Sequence, residues 1–396
     1  MQSVEEAAKT VAQRIQRLPM ERIPLSEARG RILAENIVAT RFLPPFDNSA
    51  MDGFAVRSSE LPATLPIVAK VAAGQVLTDA IPPRVAIRIM TGAPVPQGLD
   101  TVVIQEDAKV EGSQVTLPAS PVGDNIRRAG EDVAAGDLAV RAGERLNAAE
   151  LGLLAALGMV EVPVARSPRI AIIATGDELV SIGDTPGPSQ IVDSSAHTLA
   201  ALIPGAGGTS NYIGIAKDDP ITMAALIASA MDHDVVITTG GVSVGDRDHV
   251  RAALKAAGVE LELWKVAMKP GKPFSFGLNN GRVPVFGLPG NPVSTFVAFE
   301  LFVRPALLAM QGATNTQRPR APVSLIRGYR KQAGRTHYIR ARVVRNGEHL
   351  IAHPHPKQGS AILSSLVGCN ALVELPAEAT EIQPNTVVPA ILLEAV

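Results

Sequence analysis

Three glycine-containing turns lie close together in the second half of the chain, at residues 240–248, 269–273 and 287–294. The first follows the apolar run Val235–Thr239, and the third leads directly into a long apolar segment of helical character. In open α/β sheets, β-branched runs that end in glycine before a helix present backbone amides to an anion. This arrangement predicts an α/β sheet with a phosphate or oxyanion site at one edge.

From Arg169 onward the hydrophobic pattern alternates between strands and helices. The predicted strands are 169–174, 212–216, 234–239, 261–267 and 283–286, and the predicted helices are 197–203, 221–231, 246–257 and 292–310. Such alternation is typical of a doubly wound, mostly parallel sheet that is covered by helices. We therefore predict an α/β multidomain protein whose ligand site lies at the carboxyl ends of these strands.

The rest of the chain divides into smaller parts. Short helices predicted at 3–17 and 147–158 flank strands predicted at 65–71, 85–89, 101–104 and 114–117. A linker rich in Gln, Arg and Pro, residues 311–322, precedes strands predicted at 324–326, 338–344, 349–352, 371–375 and 387–392. This last segment is predicted to be a small all-β domain.

Composition narrows the function. The length of 396 residues predicts several domains, and a net charge of −1 provides no field for nucleic acid or an acidic membrane. Aromatic residues, at 3%, are too few for base-stacking platforms. The single cysteine, Cys369, excludes internal disulfides and suits a reducing compartment. Because the N-terminus lacks an apolar signal region, we expect a cytoplasmic protein with no membrane or nucleic-acid partner.

The sequence Lys269-Pro270-Gly271-Lys272-Pro273, called the lysine loop below, places two ammonium groups on a turn stiffened by prolines. Lysine binds phosphate or a tetrahedral metal oxide as a point charge. Micromolar binding requires about −8 kcal/mol, whereas one charge-assisted hydrogen bond contributes ~1.5–3 kcal/mol. Several donors must therefore converge, and the backbone amides after Pro292 and the hydroxyl of Ser294 are the expected additions.

Carboxylates follow the predicted strand ends on the same side of the sheet. They are Asp177, Glu178, Asp218, Asp246 and Asp248. Acidic side chains that face an anion-binding glycine loop are expected where Mg²⁺ bridges them to phosphate oxygens, and ordinary loop charge is the alternative. Asp219, which Pro220 follows, is instead predicted to cap a helix.

Several other motifs are compatible with a structural role. Residues 42–56 fit a surface loop before a strand, Thr91 fits a turn or a ligand contact, and residues 125–133 fit a solvated ion-pair loop or a phosphate site. His353 and His355 lack a third ligand, so a loop is favoured over a metal site. The sequence contains no Walker-type or dinucleotide-binding glycine motif, which argues against kinase-like and dehydrogenase functions.

Taken together, these motifs resemble the molybdopterin molybdenumtransferases, the bacterial MoeA type that is related to the E domain of gephyrin. The matching stretches occur in the family's order along almost the whole chain. They are residues 46–56 (FDNSAMDGFAV), 88–96 (RIMTGAPVP), 125–132 (NIRRAGED), 175–179 (TGDEL), 240–248 (GGVSVGDRD), 269–273 (KPGKP), 287–294 (GLPGNPVS) and 358–360 (QGS).

The resemblance implies a subunit of four parts: a dimerisation region at 1–45 and 130–166, an inserted β-rich domain at 46–129, a molybdopterin-binding α/β domain at 167–311, and a C-terminal β-barrel at 320–396. It also implies a homodimer with active sites between subunits, and transient contact with molybdopterin adenylyltransferase. The implied reaction converts adenylylated molybdopterin and molybdate to molybdenum cofactor, releases AMP and requires Mg²⁺. A catalytically silent scaffold and a tungstate-selective enzyme are the alternatives.

The resemblance also implies roles for individual residues. Those implied to be catalytic are Asp52, Thr91, Asp132, Glu178, Asp218 and Asp248, of which the last three would hold Mg²⁺ and the pyrophosphate linkage. Those implied to bind substrate or the oxyanion are Gly240, Gly241, Ser243, Asp246, Lys265, Lys269, Lys272, Pro289, Pro292, Ser294, Arg340 and Ser360. The chain departs from the family pattern at Ser195, where many relatives carry Asn, at Phe54, where Tyr is usual, and at residues 337–340.

Overall fold

The computed structural model describes residues 1–217, 219–240, 247–394 and 396, without the side chains of 247–251 and 264. Within these residues the chain forms three six-stranded sheets and several two-stranded ones. The α/β multidomain fold predicted from the sequence is confirmed, because one of the three sheets is doubly wound and mostly parallel.

The first helix, Val4–Arg14, packs on the α/β domain. It begins with a capping box in which the Ser3 hydroxyl accepts from the Glu6 amide at 3.1 Å and the Glu6 carboxylate accepts from the Ser3 amide at 2.8 Å. Val4, Ala7 and Val11 recur at helical spacing and are buried in the same core as the sheet of the α/β domain. The apolar face of this helix is therefore covered within the chain.

Two separate segments then form an elongated region. Strand Met20–Pro24 pairs antiparallel with Glu161–Ala165, and Ile37–Val38 pairs antiparallel with Leu138–Val140. Helix Ala148–Ala156 packs beside them over a small apolar core that includes Leu33, Leu154, Val162 and Val164.

The β-rich domain is inserted between these two segments. Its sheet has the strand order Thr101–Ile104, Gly53–Val56, Ala86–Ile89, Ala63–Val71, Gln114–Leu117, Lys109–Glu111. Phe54 and Val56 face one apolar cluster and Ala55 faces another, so strand Gly53–Val56 is buried on both faces. Phe54 is 2% exposed, which makes this departure from the family pattern a core position.

The α/β domain contains the central sheet, with the strand order Thr209–Ala216, Arg169–Thr175, Val235–Thr239, Val283–Leu288, Ser275–Asn279, Val259–Trp264. The first four strands are parallel, and Ser275–Asn279 runs antiparallel to both of its neighbours. The hydrophobic pattern of the sequence does not predict strand Ser275–Asn279. This strand forms a hairpin with Val283–Leu288 through the turn at Asn280 and Gly281, both of which have positive φ.

Helices cover both faces of the central sheet. Ser195–Leu202 and the segment that begins with Pro292–Ala298 pack on one face, and Pro220–Ser229 and Arg247–Ala256 pack on the other. The Asp219 carboxylate accepts from the Thr222 amide at 2.8 Å, which confirms the predicted helix cap.

The predicted helix 292–310 is three pieces: Pro292–Ala298, a π-helical turn Phe299–Val303, and Arg304–Met310. Pro305 cannot continue a regular helix because it lacks an amide and its ring crowds the carbonyl four residues earlier, and a wider turn precedes it. By length and composition this segment is the one candidate membrane span among the described residues, but 83% of it is buried within the fold. It is a core helix of the α/β domain.

The C-terminal part is a closed five-stranded barrel with the order Thr336–Asn346, His349–Pro354, Arg320–Leu325, Val387–Leu392, Ala371–Leu375, the last of which pairs again with Thr336–Asn346. The predicted linker 311–322 is too long at its end. Pro322 lies inside the first barrel strand, opposite Pro389, so proline does not mark a strand boundary here.

A sixth strand joins this barrel from the α/β domain. Met268–Lys269, at the start of the lysine loop, pairs parallel with Thr336–Asn346, and Lys269 lies opposite His337. The two domains therefore share a backbone ladder directly beside the lysine loop.

Candidate functional site

A cavity of about 590 Å³ lies at the junction of the α/β domain and the barrel. The α/β domain contributes Met268, the lysine loop, Pro289, Asn291 and Ser294, and the barrel contributes Tyr329, Arg335, Gln358, Gly359 and Ser360. The structure thus brings together Lys269, Lys272, Pro289, Ser294 and Ser360 from the predicted oxyanion-binding set.

The lysine loop is closed on itself by backbone hydrogen bonds. The Lys265 amide donates to the Phe274 carbonyl at 2.8 Å, and the Val266 amide donates to the Lys272 carbonyl at 3.1 Å. Gly271 has a φ of 105°, and a β-carbon there would collide with the Met268 side chain. These contacts fix the loop so that both lysines lie in the cavity wall.

Ser360 is hydrogen-bonded to the start of the helix Pro292–Ala298. The Val293 amide donates to the Ser360 carbonyl at 3.2 Å, and the Asn291 amide group donates to the Ser360 hydroxyl at 3.2 Å. Ser294, one residue further along the helix, is 3% exposed and lines the cavity. The first turn of a helix leaves backbone amides without intrahelical partners, so this wall is suited to a negatively charged ligand.

Arg340 supports this wall from behind instead of lining it. It is 1% exposed, and its guanidinium donates to the Ser365 hydroxyl at 3.1 Å and to the Gly359 and Lys357 carbonyls at 3.1 and 3.3 Å. The Gln358 side chain completes the contact by accepting from the Arg340 amide at 3.0 Å and donating to its carbonyl at 2.9 Å. The Arg340 side chain therefore does not line the cavity in this structure, and its direct contact with the oxyanion stays a prediction.

Two other predicted binding residues do not line the cavity either. Lys265 adopts a φ of 75° and anchors the base of the lysine loop through its amide. Pro292 occupies the first helical turn, where its missing N–H costs nothing. Both shape the wall through the backbone. Asn291, Tyr329 and Arg335 also line the cavity, although no sequence signal marked them as binding residues.

His337 lies next to the cavity in a buried position. It is 3% exposed, and neither ring nitrogen has a hydrogen-bond partner among the residues that the structure describes. The ring packs edge-on against Tyr329 at a centroid distance of 6.2 Å. Burial, together with the nearby charges of Lys331, Lys269 and Arg335, lowers the pKa of His337 to about 4. The imidazole is therefore neutral at physiological pH.

The carboxyl edge of the central sheet adjoins this cavity. The Gly240 amide donates to the Leu288 carbonyl at 3.1 Å, and the Gly240 α-carbon lies 3.2 Å from where a β-carbon at Gly290 would project. Ser195, 5% exposed, donates its hydroxyl to the Gly290 carbonyl at 3.3 Å. The turn 287–291 therefore belongs to both the sheet edge and the cavity.

Glu178 lies at this edge, three positions after the end of strand Arg169–Thr175, and its side chain is exposed. Of its predicted companions, Asp218, Gly241, Ser243 and Asp246 lie outside the described residues, as does the side chain of Asp248. In the part of the chain that the structure describes, no cluster of three His, Cys, Asp or Glu side chains is arranged to hold a metal ion. The His353 and His355 loop accordingly forms no such cluster.

Asp52, Thr91 and Asp132 lie in another part of the molecule. Asp52 accepts two hydrogen bonds from Thr91, at 2.7 Å from the amide and 2.8 Å from the hydroxyl. Asp132 is exposed, and its amide donates to the Leu43 carbonyl at 3.0 Å. None of these three residues lines the lysine-loop cavity of the single chain.

Comparison with known proteins adds three matches to family models. Residues 2–158 match the MoeA N-terminal region (domain I and II), residues 171–309 match the probable molybdopterin binding domain, and residues 322–393 match the MoeA C-terminal region (domain IV). Together these matches cover nearly the whole chain in the order of the described domains.

Individual proteins similar to this chain belong to the same family as these models. The chain is 37% identical to molybdopterin molybdenumtransferase 2 of Mycobacterium tuberculosis, over 98% of both chains. It is 38% identical to the molybdopterin molybdenumtransferase of Haemophilus influenzae, over 90% of both chains. The crystal structure of the molybdopterin biosynthesis moeA protein from Pyrococcus horikoshii OT3 superposes with a TM-score of 0.87 at 32% identity, over 99% of this chain and 100% of that one.

The fold and these relatives define a transferase of molybdenum cofactor biosynthesis. The chain belongs to the molybdopterin molybdenumtransferase (MoeA) family.

Proposed function

We propose that this protein inserts molybdenum from molybdate into adenylylated molybdopterin, with release of AMP. The observation that carries the proposal is the cavity in which Lys269, Lys272, Ser294 and Ser360 converge from two domains. Two ammonium groups, a helix start and hydroxyls provide the several donors that tight binding of one oxyanion requires. The lysines would neutralise molybdate and hold it for attack by the dithiolene sulfurs of the substrate.

The acidic residues at the carboxyl edge of the central sheet would bind the pyrophosphate part of the substrate through a metal ion. We propose that Glu178, with Asp218 and Asp248, holds Mg²⁺ at the pyrophosphate linkage. An exposed carboxylate at the carboxyl end of a parallel strand is a suitable hard-oxygen ligand. When bound, Mg²⁺ would offset charge on the phosphate of the departing AMP. The protein's own contribution is to orient the linkage between the carboxylates and the lysine loop.

We also propose that the working form is a homodimer whose active sites lie between subunits. Support comes from the separation of Asp52, Thr91 and Asp132 from the lysine-loop cavity within one chain. Val38, Phe42, Phe46 and Leu138 are apolar, between 40% and 51% exposed, and lie in the elongated region or just beside it. A partner subunit would cover such a surface. The adenylylated substrate would come from transient contact with molybdopterin adenylyltransferase in the cytoplasm.

The direct test is AMP release from adenylylated molybdopterin with molybdate and Mg²⁺. Lys269→Ala is expected to raise the molybdate concentration needed for half-maximal release. Glu178→Ala is expected to block release while substrate binding survives. Unaltered AMP release in the Glu178 variant would contradict the role assigned to that carboxylate. Parallel titrations with molybdate and tungstate would establish which oxyanion the protein prefers.

The shared site has its own test. Lys269→Ala and Asp52→Ala subunits are mixed or co-expressed and assayed at a molybdate concentration at which neither homodimer is expected to release appreciable AMP. A heterodimer with sites between subunits contains one site with neither substitution, so about half of the wild-type activity per heterodimer should return. No recovery in a verified heterodimer would show that each site is built from a single chain.

A further inference from the structure

The lysine-loop cavity has more positive charge than one oxyanion requires. Among the described residues, the charged ones that line it are Lys269, Lys272 and Arg335, and none of the described carboxylates does. None of these three cations forms an ion pair with any residue that the structure describes. Two ammonium groups balance a molybdate dianion, which leaves the Arg335 guanidinium without a counter-charge.

Arg335 reaches the cavity from the barrel side, on a turn that is held in place. The Lys331 ammonium donates to the Arg335 and Ala377 carbonyls, both at 3.1 Å, and the Gly334 amide donates to the Ala377 carbonyl at 2.8 Å. The Thr336 amide then donates to the Ala267 carbonyl at 3.0 Å, across to the α/β domain. The turn that carries Arg335 is thus fixed relative to the lysine loop.

The size of the cavity also exceeds that of one oxyanion. A volume of about 590 Å³ falls in the range of roughly 300–1,000 Å³ that holds a whole organic ligand. The buried imidazole of His337 faces the same concentration of charge, since Lys331, Lys269 and Arg335 all help to lower its pKa. Space and positive charge therefore remain after molybdate is bound.

We infer that Arg335, in the cavity wall that also contains Tyr329, forms a second anion subsite. It binds the molybdopterin-side phosphate of the pyrophosphate linkage while the lysine loop holds molybdate and the carboxylates face the AMP phosphate. The planar guanidinium fork matches a phosphate with two parallel hydrogen bonds, whereas lysine acts as a point charge. In molybdopterin the phosphate lies only a few bonds from the dithiolene carbons that receive the metal, so the two anion subsites must share one cavity. This inference rests on the proposed function.

The test uses phenyl phosphate, an aromatic phosphomonoester, and the full-length protein. Isothermal titration calorimetry measures its binding with and without saturating molybdate. We expect the ester to bind while molybdate is present. Arg335→Gln should weaken ester binding at least about tenfold, because a charge-assisted pair is lost, and should change molybdate affinity less than about threefold. Arg335→Lys, which keeps the charge without the fork, should fall between.

Arg330→Gln is the matched control, since Arg330 lies five positions before Arg335, is 85% exposed, pairs with Glu381 at 3.0 Å and does not line the cavity. It should leave both affinities unchanged. Displacement of the ester by molybdate, or equal weakening of both ligands by Arg335→Gln, would overturn the inference. These outcomes do not depend on turnover: a protein that binds both anions but releases no AMP refutes the proposed function alone, and normal AMP release with one-anion binding refutes the subsite alone.

Discussion

The carboxylate of Asp52 is held by Thr91, which lies 39 positions later in the sequence and donates both its amide, at 2.7 Å, and its hydroxyl, at 2.8 Å. The family resemblance implies a catalytic role for each residue, and the sequence around Thr91 is also compatible with a simple turn. The structure shows that the Thr91 hydroxyl donates its hydrogen bond to the Asp52 carboxylate. The hydrogen bond from the Thr91 amide, followed by that from its hydroxyl, lowers the pKa of Asp52.

Thr91→Val should raise the pKa of Asp52 part of the way to its ordinary value, because the hydroxyl bond is lost and the amide bond remains. A carboxyl group whose pKa is depressed by folding stabilises the protein above the unfolded pKa of about 4, and this contribution disappears as the pH falls through the folded pKa. Carboxyl chemical shifts followed by NMR titration measure the change. Thr91→Ser keeps the hydroxyl and should titrate like the wild type; an Asp52 pKa identical in all three proteins would contradict this account.

His337 should make stability fall in mildly acidic solution. Its pKa is lowered to about 4 in the folded protein, against about 6.5 when unfolded. The unfolded chain therefore takes up the proton first as the pH drops below about 6.5, and the loss reaches roughly 2 kcal/mol by pH 5. Urea unfolding at pH 7 and pH 5 tests this. His337→Leu should show a smaller decrease than the wild type between these two pH values; equal decreases would exclude the effect.

Arg340→Met should loosen the wall that carries Ser360. The substitution leaves the Gly359 and Lys357 carbonyls and the Ser365 hydroxyl without their donor, at a cost of about 2–4 kcal/mol in the free energy of unfolding. Molybdate affinity should fall as well, because Ser360 is no longer fixed. Calorimetry and urea unfolding measure the two effects. Gln358→Ala, which removes the other support of this loop, should also lower the affinity for molybdate. Unchanged molybdate affinity in both variants would show that Arg340 only stabilises the fold.

Gly240→Ala should be costly for two reasons. Gly240 has a φ of 88°, and a β-carbon there would collide with the Thr175 carbonyl of the neighbouring strand. Gly334 has a similar φ of 94° but open space around it, so Gly334→Ala pays only for its backbone conformation, about 1–2 kcal/mol. Gly240→Ala should lose about 1–3 kcal/mol more, in line with other steric clashes in well-packed interiors. Equal losses in urea unfolding would show that the strand edge can shift.

Glu300 should be critical for holding the barrel against the α/β domain. This carboxylate, 4% exposed, accepts from Arg318 at 2.9 and 3.0 Å, and Arg318 also donates to the Leu393 carbonyl at 2.9 Å. Glu300→Ala leaves a partly buried guanidinium unpaired and should cost about 3–5 kcal/mol. Glu381→Ala breaks the exposed pair with Arg330 and should cost less than about 1 kcal/mol. Comparable thermal shifts in the two variants would contradict this contrast.

Much of the α/β domain could be predicted from the sequence, because apolar β-branched runs buried on both faces differ from the surrounding amphipathic helices. Strand Val235–Thr239 and the Asp219 cap are examples. Ser275–Asn279 was missed because it follows the lysine loop immediately and is buried on both faces, so it shows no alternation of polar residues. Its antiparallel direction depends on a hairpin that only the folded sheet reveals.

The site was less predictable, because its walls meet only through docking of two domains. The family resemblance implies that Arg340 binds the oxyanion, yet its side chain lies on the same face of its strand as the buried Tyr338, while Ile339 and Ala341 face the barrel interior. Strand periodicity could show that these residues alternate, but not which face meets the cavity. Arg335 carried no signal of its own, since its position depends on the turn held by Lys331.

The short strand Met268–Lys269 belongs to the chain of one domain and the hydrogen-bond ladder of the other. During folding, the hydrogen bonds between Met268–Lys269 and the barrel strand Thr336–Asn346 can form only after the two domains have docked. An isolated α/β fragment would lack the neighbour that orients its first lysine, and an isolated barrel would expose an unpaired rim. Oxyanion binding at the lysine loop should therefore appear late in folding, in a single step, when the α/β domain and the barrel dock.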